Sequence, residues 1–262
     1  MRILFIGDVV GRPGREMLRA RLPVLRSQRE IDIIIANGEN AVGSGITPST
    51  AEEMFAAGVD VITLGNHAWD KKEISDYIED NPRIIRPINY PAHHEPVPGR
   101  GWTVFESPKG PVAVINILGR VFLPIFPDCP FRAADEALEA AKEFAAVTII
   151  DFHAEATSEK QALGWYVDGR ATAVLGTHTH VQTADNRVLP GGTAYISDAG
   201  MTGPVNSVIG VKVNPAVRRF LTQRPVVYET ADGPQILSGV VLDVDPASGK
   251  ALAIERIYEH SP

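Results

Sequence analysis

The chain reads as an α/β fold whose sheet is covered on both faces and whose ligand site lies at the carboxyl ends of the strands. Three observations predict this. Short β-branched apolar runs alternate with segments of helical composition. The runs are continuously apolar, as in strands buried on both faces. Five of them end in carboxylate, carboxamide or imidazole side chains, which a parallel sheet gathers along one edge.

In order, strands are expected at residues 3–6, 31–36, 59–64, 112–117, 147–152, 173–175 and 194–197. Helices are expected at 15–27, at 48–57 with Pro48 in the first turn, at 132–145, and in a short segment opened by a capping pair, Ser158 and Gln161. Residues 83–98, RIIRPINYPAHHEPVP, are proline-rich and aperiodic, and read as an ordered loop or insertion over one sheet edge because the βα rhythm resumes after them. Beyond Arg224, the segments VVYET, ILSGVVLDVD and ALAIERIYE read as antiparallel strands joined by turns at 231–233 and 246–249.

With 262 residues the chain can bury roughly three quarters of its extended surface, which suits one domain that needs no staple. Its only cysteine, Cys129, has no intramolecular partner, and no CxxC pair exists; both favour a reducing cytoplasm. No stretch approaches the roughly 20 apolar residues of a membrane span, and MRILFIGD reads as the first strand and not as a signal peptide. A net charge of −7 argues against a protein that coats nucleic acid. A small anionic substrate then needs positive charge from another source, and metal ions can supply it.

The strand ends carry the chemistry. They read Gly7-Asp8, Asn37-Gly38-Glu39-Asn40, Gly65-Asn66-His67, Asp151-Phe152-His153 and Gly176-Thr177-His178-Thr179-His180. Four of the seven histidines are here, mixed with oxygen donors and no thiolate, a set suited to Mn, Fe or Zn and unlike a structural thiolate zinc site. The glycines read as tight turns that aim the following side chains into a crevice. Singly, each piece has a plainer account: Asp8 as a helix cap, Gly65-Asn66-His67 as a turn, His153 as a hydrogen-bonded core residue. Together, at corresponding strand ends, they favour a metal site. The spacing of Gly7, Gly11 and Gly14 fits neither GxGxxG nor a P-loop, so these glycines read as turns entering the first helix. Arg12 and Arg15 beside them could face an anion, or simply be solvated.

These stretches resemble the calcineurin-type metallophosphoesterases, a family with a sheet sandwich that carries two metals at its strand ends. The likeness is closest to the YmdB-like branch and runs over almost the whole chain: GDVVGRPGR, NGENAVGSGIT, TLGNHAWDKKEI, RPINYP, DFHAEATSEKQALGWYVDGR, GTHTHVQTADNRVLP and GTAYISDAGMTGP. Two departures from the wider superfamily stand out. Val10 replaces the histidine of an Asp-x-His motif, and Glu39, followed by Asn40, replaces the bridging aspartate.

The resemblance implies an αββα sandwich, a single metallophosphoesterase domain over residues 1–262, and two divalent ions, Fe or Mn foremost with Zn compatible. One ion would be held by Asp8, Glu39, Asn40 and His180, the other by Glu39, Asn66, His153 and His178. A shared hydroxide would attack the phosphate, with His67 as general acid or electrostatic aid to the leaving oxygen. The implied activity is a cytoplasmic phosphodiesterase acting on 2′,3′-cyclic nucleotides or related diesters, linked to RNA turnover or bacterial signalling. Rival readings are a phosphomonoesterase or nuclease using the same site, and a regulatory metal- or nucleotide-binding protein without turnover. No membrane partner is expected. Segments 83–98 and 122–126 could form an apolar contact surface for a homo-oligomer, or be buried within the monomer.

Overall fold

The computed structural model describes residues 1–92 and 95–261; His93 and His94, in the proline-rich stretch, and Pro262 lie outside the described residues. The first half of the chain runs β1 (Arg2–Ile6), β2 (Asp8–Val9), α1 (Gly11–Gln28), β3 (Ile33–Asn37), α2 (Pro48–Ala56), β4 (Val61–Thr63), α3 (Ile74–Asp80), β5 (Ile84–Ile85), β6 (Trp102–Ser107) and β7 (Gly110–Leu118). It continues with α4 (Pro130–Ala141), β8 (Val147–His153), α5 (Thr157–Tyr166), β9 (Ala173–Thr177), β10 (Arg187–Val188), β11 (Ala194–Ile196), β12 (Met201–Pro204), α6 (Val213–Thr222), β13 (Gln235–Val244) and β14 (Ala251–His260).

The strands form two sheets. One has eight strands in the order β2-β12-β13-β1-β3-β4-β5, with β14 also on β13, and the other has six in the order β10-β11-β9-β8-β7-β6. Alternation along each strand explains why both faces are apolar. On β1, Ile3 and Phe5 join Ile33 and Ile35 of β3 in a cluster between the sheets, where they meet Val112, Val114, Val147, Ile149 and Leu175. Leu4 and Ile6 face the other way, onto Met17, Leu18 and Leu22 of α1. The second sheet repeats this: Ile115, Ile150 and Phe152 turn outward onto Ala134, Ala137 and Leu138 of α4 and Leu163 of α5. The expected αββα sandwich is therefore the fold observed, with one apolar layer between the sheets and one under each set of helices.

Several local expectations are corrected. Ser158 and Gln161 form no capping box: α5 begins at Thr157, its N-cap Ala156 has no side-chain cap bond, and Ser158 falls inside the first turn. The capping box lies instead at α2, where Thr47 and Thr50 exchange backbone-to-hydroxyl bonds of 3.0 and 3.3 Å ahead of Pro48. Helix α1 starts at Gly11, earlier than expected, because the Asn40 carbonyl accepts from the Gly11 N–H at 2.8 Å. VVYET is not a strand; apart from an isolated bridge of Thr230 to Val211 it is irregular. Strand β13 has no edge left for it, since β1 and β12 occupy one side and β14 the other.

The stretch 83–98 is in part a strand: Ile84 and Ile85 add β5 to the sheet edge beside β4. Within the described part of the loop, the half-buried Arg86 guanidinium donates to the carbonyls of Pro87, Ile88, Val97, Pro98 and Gly99. One side chain thus satisfies carbonyls that no sheet partner reaches. Of the apolar residues at 122–126, Phe122 and Phe126 are exposed while Leu123 is buried. Among the described residues no helix is long and apolar enough to cross a membrane.

Candidate active site

Strands β1, β3 and β4 run parallel in the first sheet, and β7, β8, β9 and β11 in the second. Their carboxyl ends meet across the inter-sheet layer. Asn37 at the end of β3 donates to Asp151 of β8 at 3.0 Å, and the His178 N–H after β9 donates to Asp8 after β1 at 3.0 Å. All seven expected metal-binding residues and His67 thus lie along one edge.

The tightest cluster surrounds His153 Nε2. Glu39 Oε1 is 3.0 Å away, Asn66 Oδ1 3.1 Å and His178 Nδ1 3.0 Å, and one donor atom each from Glu39, His153 and His178 lies within 4.8 Å of the others. A second, looser group adjoins it. Asn40 Nδ2 is 3.2 Å from both Glu39 Oε1 and His180 Nε2, and His180 Nε2 is 3.6 Å from Asp8 Oδ1. Glu39 belongs to both groups. For Asn40 to ligate through oxygen its carboxamide must turn by half a rotation, which exchanges two ends of nearly equal shape.

The other nitrogen of each imidazole is already engaged. His153 Nδ1–H donates to Thr177 Oγ1 at 2.9 Å, and that hydroxyl donates to the buried Asp151 at 2.7 Å. His178 Nε2 reaches Glu155 at 3.1 Å, and His180 Nδ1–H donates to the Ile209 carbonyl at 2.8 Å. Each ring therefore turns one lone-pair nitrogen to the crevice, as metal-binding histidines do. Asp8 Oδ1 is buried with no hydrogen-bond partner among the described residues. An orphaned carboxylate oxygen beside converging lone pairs is unfavourable unless a cation joins them, so these residues fit a divalent ion.

Electrostatics point the same way. Burial opposes the charge on Asp8 and Glu39, yet the facing imidazoles, His180 and His153 respectively, hold both carboxyls below the ordinary range. Burial likewise disfavours imidazolium at His180, but Asp8 outweighs it and pushes that ring up to about 9; His153 is raised against burial by Glu39 and then Asp8. His178, desolvated and repelled by His153, falls to about 4. The pocket draws in positive charge, and metal ions would take the place of those protons.

His67 stands apart from these clusters. Its backbone N–H donates to Glu39 at 3.0 Å, while its half-exposed ring places Nδ1 2.8 Å from Asp70 and 3.2 Å from Ser44 Oγ. Nε2 has no hydrogen-bond partner among the described residues. Arg12 and Arg15 do not face the site: Arg12 pairs with Glu16 on the surface, and Arg15 binds Glu53 and the Ala41 carbonyl.

Sequence reasoning placed Asn37 and Asp151 at the strand ends without reading their supporting role, and missed Asp70 and Thr63. Asp70 was visible as the last residue of GNHAWD, one helical turn past His67, but its partner could not be known. Asn37, Thr63 and Asp151 each place a polar side chain at the end of an apolar strand and bond to one another between the sheets. Burial raises the Asp151 carboxyl to about 6 despite those donors.

The role of the glycines is also corrected. Gly7, Gly38, Gly65 and Gly176 do not adopt left-handed backbone; His178 (φ 104°) and His180 (φ 64°) do, and this strain, about 1–3 kcal/mol each, aims the two rings apart. Gly65 supplies space instead. A Cβ there would sit 2.5 Å from His153 Nε2 and closer still to the Glu39 carboxylate. Gly65→Ala is expected to fold and to weaken metal binding about 10- to 100-fold, measured by metal titration of the chelator-stripped protein.

Fold and site together define a metallophosphoesterase. The chain belongs to the YmdB-like protein family, whose model matches residues 4–257. It is 53% identical over 258 residues to a 2′,3′-cyclic-nucleotide 2′-phosphodiesterase of Bacillus subtilis (strain 168), covering 98% of this chain and 96% of the relative. A crystal structure of a hypothetical protein from Thermus thermophilus superimposes with a TM-score of 0.92 at 42% identity, covering 100% of both chains. The crystal structure of a novel phosphatase from Mycoplasma pneumoniae gives 0.91 at 35% identity, covering 99% of this chain and 93% of that one.

Proposed function

We propose that this chain is a metal-dependent phosphodiesterase that opens 2′,3′-cyclic nucleotides, its whole length acting as one catalytic domain. The observation that carries the reading is the convergence of Glu39, Asn66 and His178 on His153 Nε2, beside a His67 whose Nδ1 is tied to Asp70. The substrate class is supported by the activity named for the Bacillus subtilis relative.

In this reading Asp8, Glu39, Asn40 and His180 hold one ion, and Glu39, Asn66, His153 and His178 hold the other; the donor set suits Mn or Fe and accepts Zn. When bound, the ions supply Lewis acidity toward the phosphate oxygens and a water of lowered pKa. The protein's own part is geometric. Thr177, Glu155 and the Ile209 carbonyl fix the tautomers of His153, His178 and His180. His67, with Nδ1–H on Asp70, delivers a proton from Nε2 to the leaving ester oxygen. We place the enzyme in the cytoplasm, on the strength of its single cysteine, and assign the exposed Phe122 and Phe126 to contact between copies of the chain. RNA cleavage that leaves cyclic phosphate ends is the class of reaction that supplies such a substrate.

The test uses chelator-stripped protein with Mn²⁺ restored, assayed on 2′,3′-cyclic AMP beside His67→Ala. Turnover should depend on metal and fall about 10²- to 10⁴-fold in the variant, which still binds metal. Metal-loaded protein that gives no product from the cyclic nucleotide would overturn the reading.

A further inference from the structure

Two cavities border the candidate site. One, of about 890 Å³, is walled by both His67 and His180; the other, of about 660 Å³, touches His180 but not His67. Ile209 stands between them. Its left-handed backbone (φ 47°), unfavourable for a β-branched residue, lets its carbonyl reach His180, and the residue lines both cavities.

We infer that the larger cavity is a nucleoside subsite, with the base stacked against Tyr228 and Phe220. The inference rests on the phosphodiesterase reading and deepens it. In a 2′,3′-cyclic diester both ring ester oxygens belong to the ribose. When hydroxide forms its new P–O bond, the bond to one ribose oxygen breaks, the electron pair stays on that oxygen, and His67 Nε2 supplies its proton. The ribose therefore lies on the His67 side, and only the larger of these two cavities is open to His67.

The lining matches the two ends of a nucleotide. Ser44, His67 and Lys71 line this cavity, with Ser44 Oγ 3.2 Å from His67 Nδ1, and Lys71 makes no ion pair among the described residues, so its charge is free for phosphate. Val211, Phe220 and Tyr228 are among its apolar lining residues. Phe220 is 73% exposed and Tyr228 50%, and neither ring pairs with another aromatic among the described residues. Glu229, the acid in this lining, is neutralised by Lys212. A volume of this size accommodates a small-molecule ligand, and stacking on an aromatic ring is tolerant of base identity.

The experiment compares 2′,3′-cyclic AMP with glycerol 1,2-cyclic phosphate, the same strained ring without a base, on Mn²⁺-loaded protein. Phe220→Ala/Tyr228→Ala should lower the ratio of kcat/KM for the two substrates about tenfold, through KM, and weaken calorimetric binding of adenosine 3′-phosphate by a similar factor. Tyr228→Phe keeps the ring and should keep the ratio. Tyr258→Ala, in the smaller cavity, should leave it at the wild-type value. An unchanged ratio and Kd in the double variant, or a loss that follows Tyr258 instead, overturns the subsite. If wild-type protein turns over neither substrate but adenosine 3′-phosphate binding still depends on Tyr228, the subsite stands and the phosphodiesterase reading falls.

Discussion

Glu39→Gln is expected to lower kcat/KM by at least about three orders of magnitude, roughly 4 kcal/mol, and to reduce the metal content of the purified protein. The residue occupies the junction of the two donor groups: Oε1 lies 3.0 Å from His153 Nε2, and Oε2 receives the His67 N–H. An amide keeps the shape but removes the only negative charge shared by both groups. It also presents an NH₂ toward the proposed cation. Metal analysis and turnover measured on one preparation separate the two effects. A glutamine variant with wild-type metal content and wild-type turnover would remove Glu39 from the proposed metal site. Metal should also stabilise the native protein, by about 2.7 kcal/mol at a hundredfold excess over Kd, and this gain should disappear in the variant's thermal melts.

Lys160→Met is expected to cost about 3–5 kcal/mol and to lower Tm on the order of 10 °C, without touching a proposed ligand. Lys160 is 1% exposed, and its ammonium donates to Asp198 and to the Thr177 carbonyl, each at 2.8 Å. Asp198 also accepts from the backbone N–H groups of Thr179 and Gly200, at 3.0 and 2.9 Å. Removing the lysine leaves a buried carboxylate uncompensated directly beneath the His178-Thr179-His180 turn. The strained φ angles of the two histidines then lose their clamp, so metal affinity should fall together with stability. Adding Asp198→Asn should recover part of the stability, because the uncompensated charge goes with it. Equal stability of Lys160→Met and wild type in chemical denaturation would show that the turn is held by other contacts.

The extent of what was legible in the sequence follows from how far each interaction reaches along the chain. The layered α/β character, most of the central strands and the strand-end donors were readable, because burial on both faces writes a continuous apolar run and the next residues are chain neighbours of that run. The edge strand β5, helices α3 and α6, and the irregular course of VVYET were not. Their state depends on which sheet edges other segments leave open, and β13 has none. Capping misled at α5, where Ser158 has the right type but sits inside the helix.

The sequence by itself determined the class of fold, the inventory of donors and the side of the sheet on which they gather, since the βα alternation that favours parallel strands and the residues that end each strand are both read along the chain. Only the tertiary structure decided which donors meet at His153, that the histidines and not the glycines carry the left-handed turns, and that Asp70, Thr177 and the Ile209 carbonyl orient the rings. Contacts across the site join residues as far apart in the chain as Asp8 and His180, and are fixed by the packing of one sheet on the other, which no local pattern encodes.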